Sequence, residues 1–324
     1  MSAAASVRAG ASGAGSRLRR GLPYLGIAVL TFGLWLLLVS VNDFLAGVLA
    51  SILIWTVATS GLNIIAGLGG YPSLVQGAFY GIGAYGATLA LIAGWPLWGA
   101  MLLAIVLAGV AGLFIGLVFS RTRGQYFGIG TLFFGVVVAL VLNNWTQLTH
   151  GPLGLPAPFV FAGNGQLNAV IAVSAGLSLA LVVALGRSRL GRRLVTIRAD
   201  EDLAEHIGVP TARTKLLGFV ISAMVGGYAG VLIAQYNGTI SPELFDQTVG
   251  FVMFVAVSVG GAGRVLGPLV GSAFIVGVPD LLTLPSGIGL LVVGVIFVAI
   301  VILVPDGLMG GLEALWRRLS GRRR

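Results

Sequence analysis

The sequence predicts an all-α, polytopic transmembrane helical bundle of about ten membrane segments, some broken or re-entrant, with both termini cytoplasmic. Three observations predict it: an apolar composition, continuous apolar runs of about 20 residues, and the placement of every basic residue. Of the 324 residues 57% are hydrophobic and only 9% charged, where a soluble domain carries roughly a quarter charged residues. In hydrocarbon each backbone N–H and C=O must be bonded within the protein, so a spanning chain forms helices or a closed barrel. Barrel strands alternate apolar and polar residues over about ten positions. The runs here do not alternate, which selects helices.

Residues 1–21 are rich in Ala, Ser, Gly and Arg and hold no acid; they read as a disordered basic N-terminal tail. An organelle transit peptide shares that composition, but an apolar run begins at once at Pro23. This run, 23–41, is too long for a signal-peptide core and lacks a clean cleavage site before Asn42 and Asp43, so it is the first helix. Further segments fall at 45–66, 73–93, 97–120, 126–147, 167–186, 214–236, 247–262, 266–284 and 287–304. Segments 73–93 and 247–262 are Gly-interrupted or short, as broken or re-entrant helices are. The transmembrane domain is thus 22–306, with a charged cytoplasmic loop at 187–213, and 307–324 is a basic cytoplasmic C-terminal tail.

The basic residues test that count. Arg8, Arg17, Arg19 and Arg20 precede the first segment, Arg121 and Arg123 follow the fourth, seven lie within 187–215, Arg264 follows the eighth, and five lie within 317–324. All 19 fall on one predicted face, and the opposite face holds Asp43, His150, Glu243 and Asp246 with no Lys or Arg. By the positive-inside rule the basic face is cytoplasmic. The net charge of +9 is therefore a set of topology signals, and no nucleic-acid partner is expected.

Several chemistries are excluded. With no Cys and only His150 and His206, neither a thiolate nor a His-rich metal site is expected. A P-loop needs a Lys followed by Ser or Thr; the single Lys, Lys215, is followed by Leu216. The chain carries no Walker A motif, and if ATP drives its work another subunit binds it. No nucleophile–base constellation is present: His206 near Asp202 reads as a solvated helix pair, no catalytic residue is assigned, and the chain is not expected to be an enzyme. Asp280 is the only acid well inside a predicted span, whereas proton-driven carriers use buried ionisable groups. A stand-alone channel or ion-coupled carrier is the less favoured alternative.

Polar residues on membrane segments give a candidate pathway: Ser73, Gln76, Thr131, Asn143 and Asn144. Such groups also bond helix to helix, at roughly 0.6 kcal/mol each. In the cytoplasmic loop, Arg198-Ala-Asp-Glu-Asp-Leu-Ala-Glu-His-Ile-Gly208 reads as one short amphipathic helix. Leu203 and Ile207 share a face, with Asp200, Glu201 and Glu205 mostly on others. Gly208 suits the left-handed position past a helix end, and Pro210 stops continuation. Both a solvated linker and a helix docking a cytoplasmic partner fit this pattern.

Further blocks are Gly61-Leu-Asn-Ile-Ile-Ala-Gly67, then Ser73-Leu-Val-Gln-Gly-Ala-Phe-Tyr-Gly-Ile-Gly-Ala-Tyr85, and Arg123-Gly-Gln-Tyr-Phe-Gly-Ile-Gly-Thr-Leu132. Arg187-Ser-Arg-Leu-Gly-Arg192, Ile197-Arg-Ala-Asp-Glu201, Ser241-Pro-Glu-Leu-Phe245 and Gly260-Gly-Ala-Gly-Arg-Val-Leu-Gly-Pro268 follow. In this order they resemble the LivM-type permease subunits of bacterial branched-chain amino acid ABC importers, over roughly 44–305. The resemblance implies a multi-pass protein of the bacterial inner membrane, surrounded by membrane lipid. Its partners would be a second, LivH-like permease subunit, two cytoplasmic ATP-binding subunits and an extracytoplasmic solute-binding protein. It implies no cofactor in this chain, and a coupling loop that includes Arg198, Asp200, Glu201, Glu205 and Gly208. Reversing Glu201 or Glu205 to Lys is then expected to abolish uptake. Similar permeases serve urea, amides or aromatic acids, so the cargo is not fixed by the resemblance. The family's Thr-Gly-Gly stretch stands here as Thr149-His150-Gly151.

Overall fold

The computed structural model describes residues 23–122, 124–281, 294–295, 298 and 307–319. Helix α1 is Pro23–Ser40. Helix α2, Asp43–Leu62, runs on through a π-helical turn at Asn63–Leu68, and α3 (Gln76–Ile92), α4 (Leu97–Phe119) and α5 (Gln125–Asn144) follow. A short α6 (Thr146–Thr149), a 3-10 turn and strand β1 (Leu155–Pro156) lead into α7 (Asn164–Arg187). Next come α8 (Arg189–Ala199), α9 (Glu201–His206), α10 (Thr211–Asn237), β2 (Thr239–Ile240), a 3-10 turn and α11 (Gln247–Gly260). Helix α12 (Gly267–Ser272) passes through a second π turn into α13 (Val278–Leu281), and α14 is Gly307–Leu319.

Among the described residues seven helical stretches are long and apolar enough to cross a membrane, fewer than the ten segments expected. The shortfall has identifiable causes. The stretch Gly267–Leu281 is apolar but shorter, and the expected segment 287–304 lies almost wholly outside the described residues. Helix α3 has 17 residues, all buried except Ile82, Leu89 and Ile92. Enclosed by protein rather than lipid, it carries Gly and Tyr where a lipid-facing helix carries Leu. Segments 73–93 and 247–262 prove to contain unbroken helices, α3 and α11, and not re-entrant pairs.

Packing around α3 explains the many glycines. A Cβ on Gly83 would overlap the carbonyl of Gly227 in α10, and one on Gly230 would overlap that of Tyr80. With no water to drive association, membrane helices gain by close backbone approach, which small residues allow. Helix α4 shows the same logic: Ala100, Ala104, Ala108, Gly112 and Gly116 face inward, while Leu102, Val110, Phe114 and Leu117 are exposed. Larger side chains fill the centre, where Phe219 meets Phe79 and Phe127 edge-on at 5.4 and 5.6 Å.

The loops gather into two poles. At the acidic pole β1 and β2 pair antiparallel, Leu155 opposite Ile240, and Gln235 accepts from Val160 N–H (3.2 Å) and donates to the Pro158 carbonyl (2.9 Å). Asp43, Tyr236 and Asp280 line one recess there. The basic pole holds 67–72, 121–122, α8, α9 and 261–266. The predicted helix over 198–208 is interrupted: α8 ends at Ala199, and Asp200, extended at φ −163° and ψ 113°, accepts from the Leu203 N–H to start α9. An Asp side chain offers the backbone this alternative to helix continuation. Residues 307–319, expected as part of a basic tail, are helical.

Candidate functional site at the basic pole

The site begins where α2 loosens. Asn63 opens the π turn, fully buried, and such turns recur at functional positions. Its side chain donates to the Arg264 carbonyl at 3.0 Å and accepts from the Gly263 N–H at 2.8 Å. A few residues on, the Gly67 carbonyl accepts from the guanidinium of Arg198, which also reaches the Ala262 carbonyl at 3.3 Å. Gly70 lies against the aliphatic stem of Arg198 and Gly263 against its guanidinium, at φ 76° and 84°, a region open to Gly at little cost. Gly67, Val195, Arg198, Ala262, Gly263 and Arg264 border a recess of about 440 Å³.

Beside it lies a second polar cluster. The Lys215 ammonium sits 2.7 Å from a Glu201 carboxylate oxygen, with the side chains 2% and 15% exposed respectively. Lys215 also donates to the Thr122 carbonyl at 3.1 Å and stands 4.8 Å from the centre of the Tyr71 ring. The Tyr71 hydroxyl donates to the other Glu201 oxygen. A buried charge pair is tolerated when its geometry is good and its remaining hydrogen-bonding capacity is met, and these contacts meet it.

The five residues implied for the coupling loop therefore lie together but do different things. Asp200 caps α9, Glu201 points inward to Lys215, Arg198 reaches back to the bundle, and Glu205 accepts from the Thr211 hydroxyl at 2.8 Å. Gly208 turns the chain at φ 84°. Ala204 anchors α9 fully buried, while Leu203 and Ile207 on its outer side are 60% and 64% exposed.

The pathway candidates do not form one lining. Ser73, Gln76 and Thr131 are buried near the start of α3; Asn143 and Asn144 are exposed at the other end of α5. Thr131 accepts from the Leu74 N–H at 3.2 Å. Gln76 donates to the Ala58 carbonyl at 2.9 Å and accepts from the Ser222 hydroxyl at 3.2 Å, joining α2, α3 and α10. Asn144 turns back on its own helix, to the Leu140 carbonyl at 2.8 Å. Lys215 and Tyr71 were not picked out as site residues by sequence. A signal for Lys215 existed: the sole Lys of the chain stands just inside an apolar segment, within reach of an acid-rich stretch.

A family model described as "Branched-chain amino acid transport system / permease component" matches residues 44–304. The chain belongs to this permease-component family. The Escherichia coli (strain K12) high-affinity branched-chain amino acid transport system permease protein LivM is 31% identical over 290 residues, covering 79% of this chain and 68% of that protein. The corresponding LivH permease of the same organism is 28% identical over 281 residues, covering 78% of this chain and 90% of its own. The xylose/arabinose import permease protein XylH of Sulfolobus acidocaldarius is 25% identical over 191 residues, covering 54% of this chain and 50% of its own. No solved structure matches the chain. As a permease component the chain is a multi-pass membrane protein with a transport role in an ABC importer, in a family of transporters and not of enzymes. The family match spans α2 to α13 and leaves α1 and α14 outside.

Proposed function

We propose that this permease imports branched-chain amino acids as one of two membrane subunits of an ATP-driven importer in the bacterial inner membrane. The basic pole lies in the cytoplasm, where two partner subunits bind the ATP, and this chain holds no cofactor. The acidic pole faces an extracytoplasmic solute-binding protein. The observation that carries this reading is α9: a short capped helix on the basic pole, held to the bundle from beneath and presenting Leu203 and Ile207 outward. An apolar pair at that exposure, on the face selected as cytoplasmic by every basic residue, suits a partner surface.

The chain has no Cys, so single-cysteine labelling tests its orientation directly. A cysteine within 187–213 should react in inverted vesicles and not in intact cells; the opposite result overturns the orientation and the docking site. Leucine uptake by the assembled importer should vanish without its ATP-binding subunits, and uptake by this chain alone would make it a channel or carrier instead. In such importers the receptor selects the cargo, and a relative named for xylose and arabinose shows that similar chains serve unlike solutes. Calorimetry on the receptor should find binding of Leu, Ile and Val; preference for urea, amides or aromatic acids would reassign the substrate.

A further inference from the structure

We propose that Lys215, with Glu201 and Tyr71, is a positioning cluster that passes a displacement of α9 to the start of α3. The inference rests on reading α9 as the contact for the ATP-binding subunit.

The cluster joins parts of the chain that are far apart in sequence. Lys215 belongs to the second turn of α10, Glu201 opens α9, Thr122 lies between α4 and α5, and Tyr71 lies in the segment that leads into α3. One nearly inaccessible ammonium, 2.7 Å from Glu201 and 3.1 Å from Thr122, touches all of them. Apolar packing alone holds α9 weakly, because Ala204 is its one buried residue. The charged contacts to Glu201 are of the stronger, shorter kind, so they fix where α9 sits.

From Tyr71 the connection continues inward. Tyr71 packs 5.4 Å from Phe127, Leu74 bonds to Thr131, and Gln76 ties the first turn of α3 to α2 and α10. A push on α9 through Leu203 and Ile207 is thus applied to Glu201, then to Tyr71, and then to the protein-enclosed helix α3. Glu201 acts as a strut inside this chain and not as the surface that meets the partner.

The test uses the complete importer, reconstituted with its second permease, both ATP-binding subunits and the receptor, and leucine as the probe. Three quantities are read: retention of the ATP-binding subunits, receptor-stimulated ATP hydrolysis, and leucine moved per ATP. With Lys215→Met the complex should assemble while leucine per ATP falls roughly tenfold, within the range a linkage residue carries. Tyr71→Phe should give a smaller fall, and the exchange of Glu201→Lys with Lys215→Glu should recover most of the ratio. A normal ratio in Lys215→Met overturns the proposal, as does loss of the ATP-binding subunits, which would make the cluster a docking or folding element. If Lys215→Met does not accumulate, Lys215→Arg replaces it: assembly at a reduced ratio supports the proposal, and an unchanged ratio overturns it. In parallel, Leu203→Asp with Ile207→Asp should release the ATP-binding subunits; their retention would sink the reading of α9 itself.

Discussion

The two poles of the bundle are held together in different ways. At the basic pole, side chains cross between distant segments: Asn63 to 263–264, Arg198 to Gly67 and Ala262, Glu201 to Lys215 and Tyr71, and Arg264 to Glu313 at 3.8 Å. At the acidic pole, the ties are uncharged: the β1–β2 ribbon, Ala157 N–H to the Gly238 carbonyl at 2.8 Å, the Gln235 side-chain amide to 158–160, and the Thr149 hydroxyl to the Leu142 carbonyl at 2.7 Å. Charge-assisted cross-links make the basic pole a connected frame able to transmit a displacement. The acidic pole is a closed edge whose acids remain at its surface, toward whatever arrives there.

The largest expected effect breaks that contrast at its outermost point. Leu203→Asp with Ile207→Asp should abolish uptake and binding of the ATP-hydrolysing subunits while changing the stability of the chain by no more than about 0.5 kcal/mol, because both side chains are exposed. Pull-down and thermal unfolding in detergent read the two quantities separately. Retained binding would remove the basic pole's claim to be the driven end.

Next in size is a charge reversal made once at each pole. Glu201→Lys places a second cation beside Lys215 and should cost about 3–5 kcal/mol, as removal of one partner from a buried pair does. Glu243→Lys, on an exposed acid of the other pole, should stay within about 0.5 kcal/mol. Equal melting shifts for the two would erase the difference between frame and edge. Midway between the poles, Gly83→Ala should cost about 1–3 kcal/mol by overpacking against Gly227, whereas Gly26→Ala, with nothing within 4 Å, should cost nothing measurable by the same unfolding assay.

The contrast was only partly legible in the sequence. Hydropathy exposed the lipid-facing helices, because Leu, Val and Phe toward lipid are a one-residue property: α4 shows this clearly, with its leucines outside and its glycines inside. It under-described α3, whose surroundings are protein. Charge placement marked the basic pole, yet not the partners within it. Glu201 and Glu205 are four apart in one acidic stretch, and nothing local distinguishes the carboxylate that turns inward to Lys215 from the one that bonds Thr211. That distinction depends on α10 returning beside α9, a tertiary fact. The break at Asp200 was missed for a different reason, since an Asp within a helical pattern reads equally as a solvated side chain and as a cap.

The smallest prediction compares one left-handed turn from each pole. At the basic pole Gly208 occupies it, at φ 84°; at the acidic pole His150 does, at φ 58°, the only non-glycine with positive φ among the described residues. A left-handed conformation costs an L-residue about 1–2 kcal/mol, and glycine's greater freedom in the unfolded chain offsets about 0.5–1 kcal/mol of the relief. His150→Gly should therefore stabilise the chain by no more than about 1 kcal/mol, a small rise in melting temperature, and Gly208→Ala should lower it by a similar amount. The pair sharpens the comparison, because the same backbone geometry is already relaxed at one pole and strained at the other. A fall in melting temperature with His150→Gly would mean that the imidazole makes a contact worth more than the strain, a further side-chain tie at the acidic pole.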